Sequence, residues 1–138
     1  MNVLLQKSLI DAYPKILTPD HNKNVPYDVY GIECDDGWYK LLDTTFKTIN
    51  NHLESNSLND FKIVQIKEKL GKLRMWCLNS DTYITGVLSL AHNMSENTCE
   101  LCGSIENVHL HCIGALNKTL CKYCKHEWYD LNENFKRI

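Results

Sequence analysis

Two pairs of cysteines near the C-terminus constrain this 138-residue chain more than any other feature. Each pair has the spacing Cys-x2-Cys, the first at Cys99 and Cys102 and the second at Cys121 and Cys124. This arrangement is typical of a structural zinc site, because each short turn can direct both sulfurs toward one ion. Four thiolates complete a tetrahedral shell and leave no position open for water. The pattern therefore predicts a metal that stabilises a fold and does not perform catalysis.

The residues between the two pairs predict a zinc ribbon. The segment from Val108 to Cys112 alternates in polarity, which indicates a strand that leads away from the first pair. Gly103 directly follows the first pair and suits a turn there, because glycine tolerates a positive φ. Cys112 is the spare thiol, and we expect it to be a small core residue or partly buried. His126 is the alternative fourth ligand in place of Cys124.

A catalytic interpretation of the same segment stays open as a third hypothesis. Three histidines and one asparagine near the cysteines resemble the residues that HNH-type nucleases present to a second metal: His109, His111, Asn117 and His126. The segment between the pairs is too short for the usual loop and helix of that family. The Asp-His or His-His pair at the strand end is also missing, so we expect no enzyme here.

Composition and charge favour a soluble protein with a compact partner. The chain is 43% hydrophobic and 23% charged, and no apolar run approaches the roughly 18 residues that span a membrane. The first residues lack the pattern of a signal peptide, so we expect a reducing cytoplasm, where seven cysteines favour metal ligation over disulfides. The net charge of −2 argues against broad nucleic-acid binding, although a local basic patch is compatible with it.

The rest of the sequence predicts an α+β fold in which helices pack on a β-hairpin. Helical spacing predicts helices from Val3 to Tyr13, from a cap at Asp35 or Asp36, and from near the cap candidates Ser80 and Asp81, with residues 19–30 as a loop. The apolar stripe of the second helix comprises Trp38, Leu41, Leu42, Phe46, Ile49 and Leu53. We expect an α+β region over residues 1–96 and a zinc-ribbon module over residues 97–138, in which the tail after Trp128 extends a C-terminal helix.

The hairpin predicted between residues 61 and 78 carries the candidate ligand site. Gly71 marks its turn, and we expect one face to point inward: Val64, Ile66, Leu73, Met75 and Cys77. The outer face gathers Lys67, Lys69, Arg74 and Trp76. Cationic side chains beside an exposed aromatic ring can hold a phosphate and stack on a base. The alternative is an ordinary solvated strand face.

Three segments together carry a resemblance to a known set of proteins: "GIECDDGWYKLL", "VQIKEKLGKLRMWC" and "TCELCG … LCKYC". The chain resembles small uncharacterised proteins of phages, prophages and bacteria that have a Gly-Asp-Gly-Trp helix start, a Lys-Glu-Lys-Phe-Gly-Gly-Leu-Arg hairpin and a C-terminal zinc knuckle. The resemblance spans Gly31 to Cys124. Asp35 replaces the first glycine of that pattern, and Leu70 and Lys72 replace its phenylalanine and a glycine. It implies a viral accessory protein of the host cytoplasm, of a kind that often opposes host defence.

Three functional hypotheses follow, in order of preference. The first is a non-catalytic, zinc-containing protein that binds a small anionic or nucleotide-like ligand. Such a protein could act as an anti-defence sponge that sequesters nucleotide signals. The second is a zinc-ribbon protein that binds DNA or modulates transcription, and the third is a degenerate nuclease. A host protein or nucleic acid is a further candidate partner, and the chain is also compatible with an oligomer.

Overall fold

The protein has a mixed α+β architecture in the computed structural model, which describes residues 1–17 and 31–135. The helices are α1 (Val3–Ala12), α2 (Pro14–Leu17), α3 (Tyr39–Ser55), α4 (Thr82–Ser95) and α5 (Lys122–Phe135), with a 3-10 turn at Asp36–Trp38. The strands are β1 (Ile32–Glu33), β2 (Lys62–Lys69), β3 (Lys72–Leu78), β4 (Val108–Ile113) and β5 (Leu116–Cys121). The predicted fold class is confirmed. The loop predicted for residues 19–30 lies outside the described residues.

The first sheet is the predicted hairpin with one added strand. Strands β2 and β3 pair antiparallel, and β1 joins β2 in parallel through the pair Ile32 and Ile66. Leu70 and Gly71 form the two-residue turn, with φ values of 57° and 76°. Positive φ at both central residues is the requirement of a type I′ turn, whose twist matches that of the strands. The sequence signal at Gly71 therefore located the turn correctly.

A β-bulge changes which residues of β2 face the core. The register shifts between Ile63 and Gln65, so the pairing of β2 with β3 skips one residue. As a result Ile63 and Ile66 are both buried, whereas Val64 is only half-buried. The prediction that Val64 points inward was wrong, because strict alternation fails where a bulge inserts an extra residue.

The main core lies between this sheet and the helices. All six residues of the apolar stripe predicted for α3 are buried, which confirms that helix and its orientation. Ile84 and Ala91 bury one side of α4, which begins where the Asp81 carboxylate accepts a hydrogen bond from the Ile84 amide at 2.8 Å. Burial of each large apolar side chain stabilises the fold by roughly 1.5–3 kcal/mol.

Asp35 and Asp36 do not cap α3 as predicted. The Asp36 carboxylate instead accepts two hydrogen bonds from Asn2, from its backbone amide at 2.7 Å and from its side-chain amide at 2.8 Å. Asp35 forms an ion pair with Lys118 in the C-terminal part of the chain. Both carboxylates therefore hold distant segments together, and such contacts cannot be read from local sequence spacing.

A second, smaller core forms where the β4–β5 hairpin packs against α5. Its buried residues are Cys99, Ile113, Leu120, Cys121 and Trp128. Helix α5 begins at Lys122 and continues past Trp128 to Phe135, so the tail extends a final helix as predicted. We call the segment from Thr98 through α5 the cysteine module, and residues 1–17 and 31–95 the N-terminal region; the predicted division at residue 97 stays a prediction.

Within the part of the chain that the structure describes, no helix is long and apolar enough to cross a membrane.

Candidate metal centre and cationic surfaces

The four cysteines of the two pairs come together in one cluster. One sulfur from each of Cys99, Cys102, Cys121 and Cys124 lies within 4.8 Å of the other three. The sulfurs of Cys102 and Cys121 are 3.7 Å apart. Four sulfurs placed tetrahedrally around a metal at about 2.3 Å would be separated by about 3.8 Å. The cluster therefore fits a bound metal ion and is compatible with a zinc ribbon.

Each pair of cysteines is positioned by a different local structure. The first pair lies on a tight turn in which the Gly103 amide donates to the Cys99 carbonyl at 2.8 Å. Gly103 has a φ of 78°, so the glycine predicted to suit this turn is in the left-handed region. In the second pair, Cys121 ends β5 and Cys124 lies in the first turn of α5. His126 is exposed and does not belong to the cluster.

The ionisation of the sulfurs shows why the cluster suits a cation. Burial opposes ionisation of Cys121, but amide groups of Cys124 and Tyr123 and the Cys102 thiol lower its pKa to about 7. Burial and the adjacent thiols raise the pKa of Cys124, and burial raises that of Cys102. One thiolate is thus favoured at the expense of its neighbours. A divalent cation removes this conflict, because it stabilises all four thiolates together.

The start of α3 holds the first cysteine turn in place. The Gly37 amide donates to the Glu100 carbonyl at 2.8 Å, and the Trp38 indole donates to the Thr98 carbonyl at 2.9 Å. A Cβ atom on Gly37 would lie 2.4 Å from the Cys99 carbonyl oxygen, so a larger residue would push the turn away. Gly37 and Trp38 therefore support the first cysteine turn, a role that sequence reasoning missed.

An ion-pair network around the buried Glu100 makes a second connection between the two regions. The Lys118 ammonium lies 2.5 Å from the Asp35 carboxylate and 3.0 Å from that of Glu100. Glu100 is completely buried, and burial raises its pKa although the Lys118 charge opposes that shift. Removal of Lys118 would leave the buried Glu100 carboxylate without its counter-charge, which is destabilising. We assign this network a structural role.

The four predicted ligand-binding residues lie on one face of the β2–β3 hairpin. Lys67 pairs directly with Arg74, and Trp76 pairs with Gln65, on the face opposite the buried Leu73. Trp76 is 69% exposed, which is unusual for so large an apolar side chain. The structure therefore brings these side chains together as strand alternation predicted. Their binding role stays a prediction.

Two acidic residues border this hairpin face. Glu33 of β1 is next to Lys67 in the parallel register. Lys72, which pairs with Lys69 across the turn, forms an ion pair with Glu96 at 2.8 Å. The face is consequently less positive than the hairpin sequence alone suggested, because both acids come from segments distant in the chain.

The four residues of the nuclease hypothesis lie in three different surroundings, and one of them, His126, is exposed on α5. His109 and His111 line a cleft together with two lysines of α5. The Asn117 side chain accepts from the Cys112 thiol at 2.9 Å and donates to the Ala115 carbonyl at 3.1 Å, at the β4–β5 turn. Cys112 is exposed, so the prediction that it is buried was wrong. Cys112 and the buried Ile113 are consecutive on β4 and point to opposite faces, so Cys112 lies on the face away from the small core.

A larger cleft of about 800 Å³ is lined by α3, α4 and the first cysteine turn. Its apolar lining includes Leu90, Met94 and Ile105, whose side chains are exposed by about half or more. Sequence reasoning missed this cleft, because its only sequence signal is the apolar residues on the outer side of α4.

Comparisons with known protein families, with curated proteins and with solved structures find no match to this chain. The function is therefore inferred from the geometry and chemistry of its own residues.

Proposed function

We propose that this protein is a non-catalytic binding protein that contains a structural zinc ion and binds a phosphorylated or nucleotide-like ligand on its hairpin face. The metal and the ligand have separate tasks in this proposal. The metal maintains the cysteine module, and the cationic and aromatic side chains of the hairpin contact the ligand. A role as a sponge for nucleotide signals, which the resemblance to phage proteins implies, would be one use of such a site.

Zinc is the metal that best suits the cluster. Four cysteine sulfurs in a tetrahedral arrangement select zinc or iron among the common metals, and zinc is the usual occupant of isolated structural sites with two Cys-x2-Cys pairs. With all four positions taken by protein sulfur, no position remains for a reacting water. The proposal assigns the metal a structural role for this reason.

The pairing of Lys67 with Arg74 is the observation that carries the ligand proposal. Cross-strand neighbours on one face have Cβ atoms about 4.5–5.5 Å apart, so two positive side chains can reach the same phosphate. The Arg74 guanidinium offers two parallel donors, and its exposed position leaves them accessible. Trp76 lies two pairs further along the strands, on the same face, and presents a ring on which a base can stack.

The test is to measure the affinity for ATP, as a probe, by titration calorimetry on Arg74→Ala and its matched variants. Loss of a charge-assisted hydrogen bond costs about 1.5–3 kcal/mol, so we expect Arg74→Ala to weaken binding at least tenfold. Arg74→Lys should recover part of the affinity, and Glu33→Gln should increase it by removing the neighbouring negative charge. Lys47→Ala, on the exposed side of α3, is the control and should behave as the natural protein.

Native mass spectrometry of protein purified from cells complements this titration, because it reports the metal and any retained ligand together. A retained phosphorylated molecule that disappears in Arg74→Ala would support the proposal. Equal ATP affinity in all four variants, or a retained ligand unaffected by changes on the hairpin, would refute it.

A further inference from the structure

A second cationic surface lies on the cysteine module and plays no part in the proposed hairpin site. A cleft of about 330 Å³ opens where β4 meets the first turns of α5. It is lined by Asn107, His109, His111, Lys122 and Lys125. All five residues can donate hydrogen bonds, and none of them is acidic.

The strand and the helix place these donors on opposite sides of the cleft. His109 and His111 are two residues apart on β4 and therefore point to the same face of the hairpin. Lys122 and Lys125 are three residues apart on α5 and lie on one side of that helix. The two pairs thus converge on the cleft from two elements, and the two lysines bring positive charge to its helix side.

Aromatic contacts hold two of the donors in position. The rings of His111 and Tyr129 pack edge to face with their centroids 6.0 Å apart. The Lys125 ammonium lies 5.9 Å from the centroid of the same Tyr129 ring. Burial and the charges of Lys125 and His109 lower the pKa of His111, as expected for a cleft crowded with positive charge. An anion in the cleft would relieve this repulsion.

The cleft is separate from the hairpin face. Leu110, between the two histidines, points to the other side of β4 and lies over the Gly71 turn of the β2–β3 hairpin. The histidines consequently face away from that turn and toward α5. A ligand in this cleft would contact the cysteine module alone.

We propose that this cleft binds a phosphate group. Phosphate matches the donor set, since its oxygens accept several charge-assisted hydrogen bonds at once and its charge offsets that of both lysines. The phosphate could belong to a free phosphorylated molecule or to a nucleic-acid backbone. Both sources present the same anionic oxygens, and the experiment below separates them.

The lysines also have a competing structural explanation. A metal with four thiolates carries a net charge of −2, and Lys122 and Lys125 each follow a cysteine of the cluster. Their charges could therefore serve only to stabilise the metal centre. Metal content distinguishes the two explanations, because lysines that act only on the centre would change metal retention, whereas lysines that hold phosphate would weaken its binding in protein that retains the metal.

The experiment titrates the isotope-labelled, metal-loaded protein with inorganic phosphate, ATP and a ten-nucleotide oligothymidylate, and follows backbone amide shifts by NMR. Affinities are compared for the natural protein, the double variant Lys122→Gln with Lys125→Gln, and the control Lys7→Gln with Lys47→Gln. The control carries the same change in net charge but lies on α1 and α3. We expect amide shifts along residues 107–112 and 122–125 and at least a tenfold weaker affinity in the cleft variant alone.

The three probes identify the source of the phosphate. An oligonucleotide that binds far more tightly than inorganic phosphate, with an affinity that falls steeply with salt, would indicate a nucleic-acid backbone. Similar affinities for inorganic phosphate, ATP and oligonucleotide would indicate a site for a single phosphate group. Arg74→Ala should leave these shifts unchanged, so a failure of the hairpin proposal would not be confused with a failure of this one.

Absence of shifts around the cleft with all three probes would overturn the proposal, as would equal affinities of the cleft and control variants. If the double variant lost its metal, His109→Gln would replace it, because this change leaves both lysines next to the cysteines intact. That variant should bind the probe roughly two- to tenfold more weakly, and unchanged binding would overturn the proposal.

Discussion

The N-terminal region and the cysteine module reach stability by different means. The N-terminal region buries eighteen apolar side chains in one cluster, drawn from helices α1 to α4 and from the first sheet. The cysteine module buries five in its cluster, and two of these are cysteines of the candidate metal centre. A module of about 40 residues rarely folds on apolar burial alone and usually needs a metal or disulfides.

The two means of stabilisation differ in how well they tolerate amino-acid substitutions. Apolar residues of similar volume can replace one another in the large core at modest cost. A metal ligand has no such substitute, because its loss removes the interaction around which the small module is built. The two regions should therefore respond differently to the same perturbation.

Metal removal should have the largest effect and should divide the molecule. Since metal-binding energy in such modules is folding energy, on the order of 10–16 kcal/mol, chelation should abolish the slow amide exchange of β4, β5 and α5. The N-terminal region should keep much of its protection because its core is independent of the metal. Elemental analysis and hydrogen exchange before and after treatment with a chelator measure this outcome.

Cysteine substitutions provide the matched control for metal removal. The double variant Cys99→Ser with Cys121→Ser should reproduce the effect of chelation, whereas Cys112→Ser should retain one metal per chain, because Cys112 is exposed and outside the cluster. A cysteine module that stayed folded after complete metal loss would contradict the comparison between the two regions.

Truncation of Phe46 should perturb the N-terminal region more than the cysteine module. Phe46 is fully buried in α3, and its ring packs edge to face against Tyr13 with centroids 5.9 Å apart. Phe46→Ala should lower the free energy of unfolding by about 3–5 kcal/mol through lost burial and the remaining cavity. Urea unfolding monitored by circular dichroism gives this value, with the more conservative Phe46→Leu as the comparison.

Metal content under native conditions completes that experiment. Folded Phe46→Ala protein should still bind one metal per chain, because the four sulfurs belong to other elements. If folded Phe46→Ala protein lacked the metal, the cysteine module would depend on the large core, and the contrast between the two regions would be wrong.

The smallest effect concerns pH and the Asp36 carboxylate. Hydrogen bonds from Asn2 lower the pKa of Asp36 in the folded protein. The ionised group therefore stabilises the fold above the pKa of an unfolded aspartate, about 3.9, and this contribution disappears as the pH falls through the lower folded value. Asp36→Asn should cost less than about 1 kcal/mol at neutral pH, since the group is exposed.

Unfolding free energies measured between pH 7 and pH 2.5 test this sign. The difference between the natural protein and Asp36→Asn should shrink toward acid pH, while Asp60→Asn, an exposed acid in the linker before β2, serves as the control. A difference that grows toward acid pH would show that Asp36 does not stabilise the folded state through its charge.

Local patterns predicted the elements of this fold well, and long-range contacts account for the errors. The stripe from Trp38 to Leu53 and the turn at Gly71 depend on residues close in sequence, so periodicity and turn chemistry identified them. The bulge at Val64 and the roles of Asp35 and Asp36 depend on partners elsewhere in the chain. No pattern within a window of a few residues contains that information.

The candidate metal centre shows the same limit. The spacing of the cysteines identified which sulfurs meet, because each pair forms within a single turn. The contact of Gly37 with the first cysteine turn cannot be predicted from that spacing, since Gly37 is more than sixty positions earlier in the chain. The phosphate cleft likewise appears only once β4 and α5 are placed side by side.

The close approach of Gly37 to the first cysteine turn has a consequence for how the molecule opens. The Gly37 amide belongs by sequence to the N-terminal region, but its hydrogen-bond acceptor is the Glu100 carbonyl in the cysteine module. Its proton can exchange with solvent when the two regions separate, even if both stay folded. The exchange rate of this one amide therefore measures the free energy that joins the two parts of the chain, apart from the stability of either.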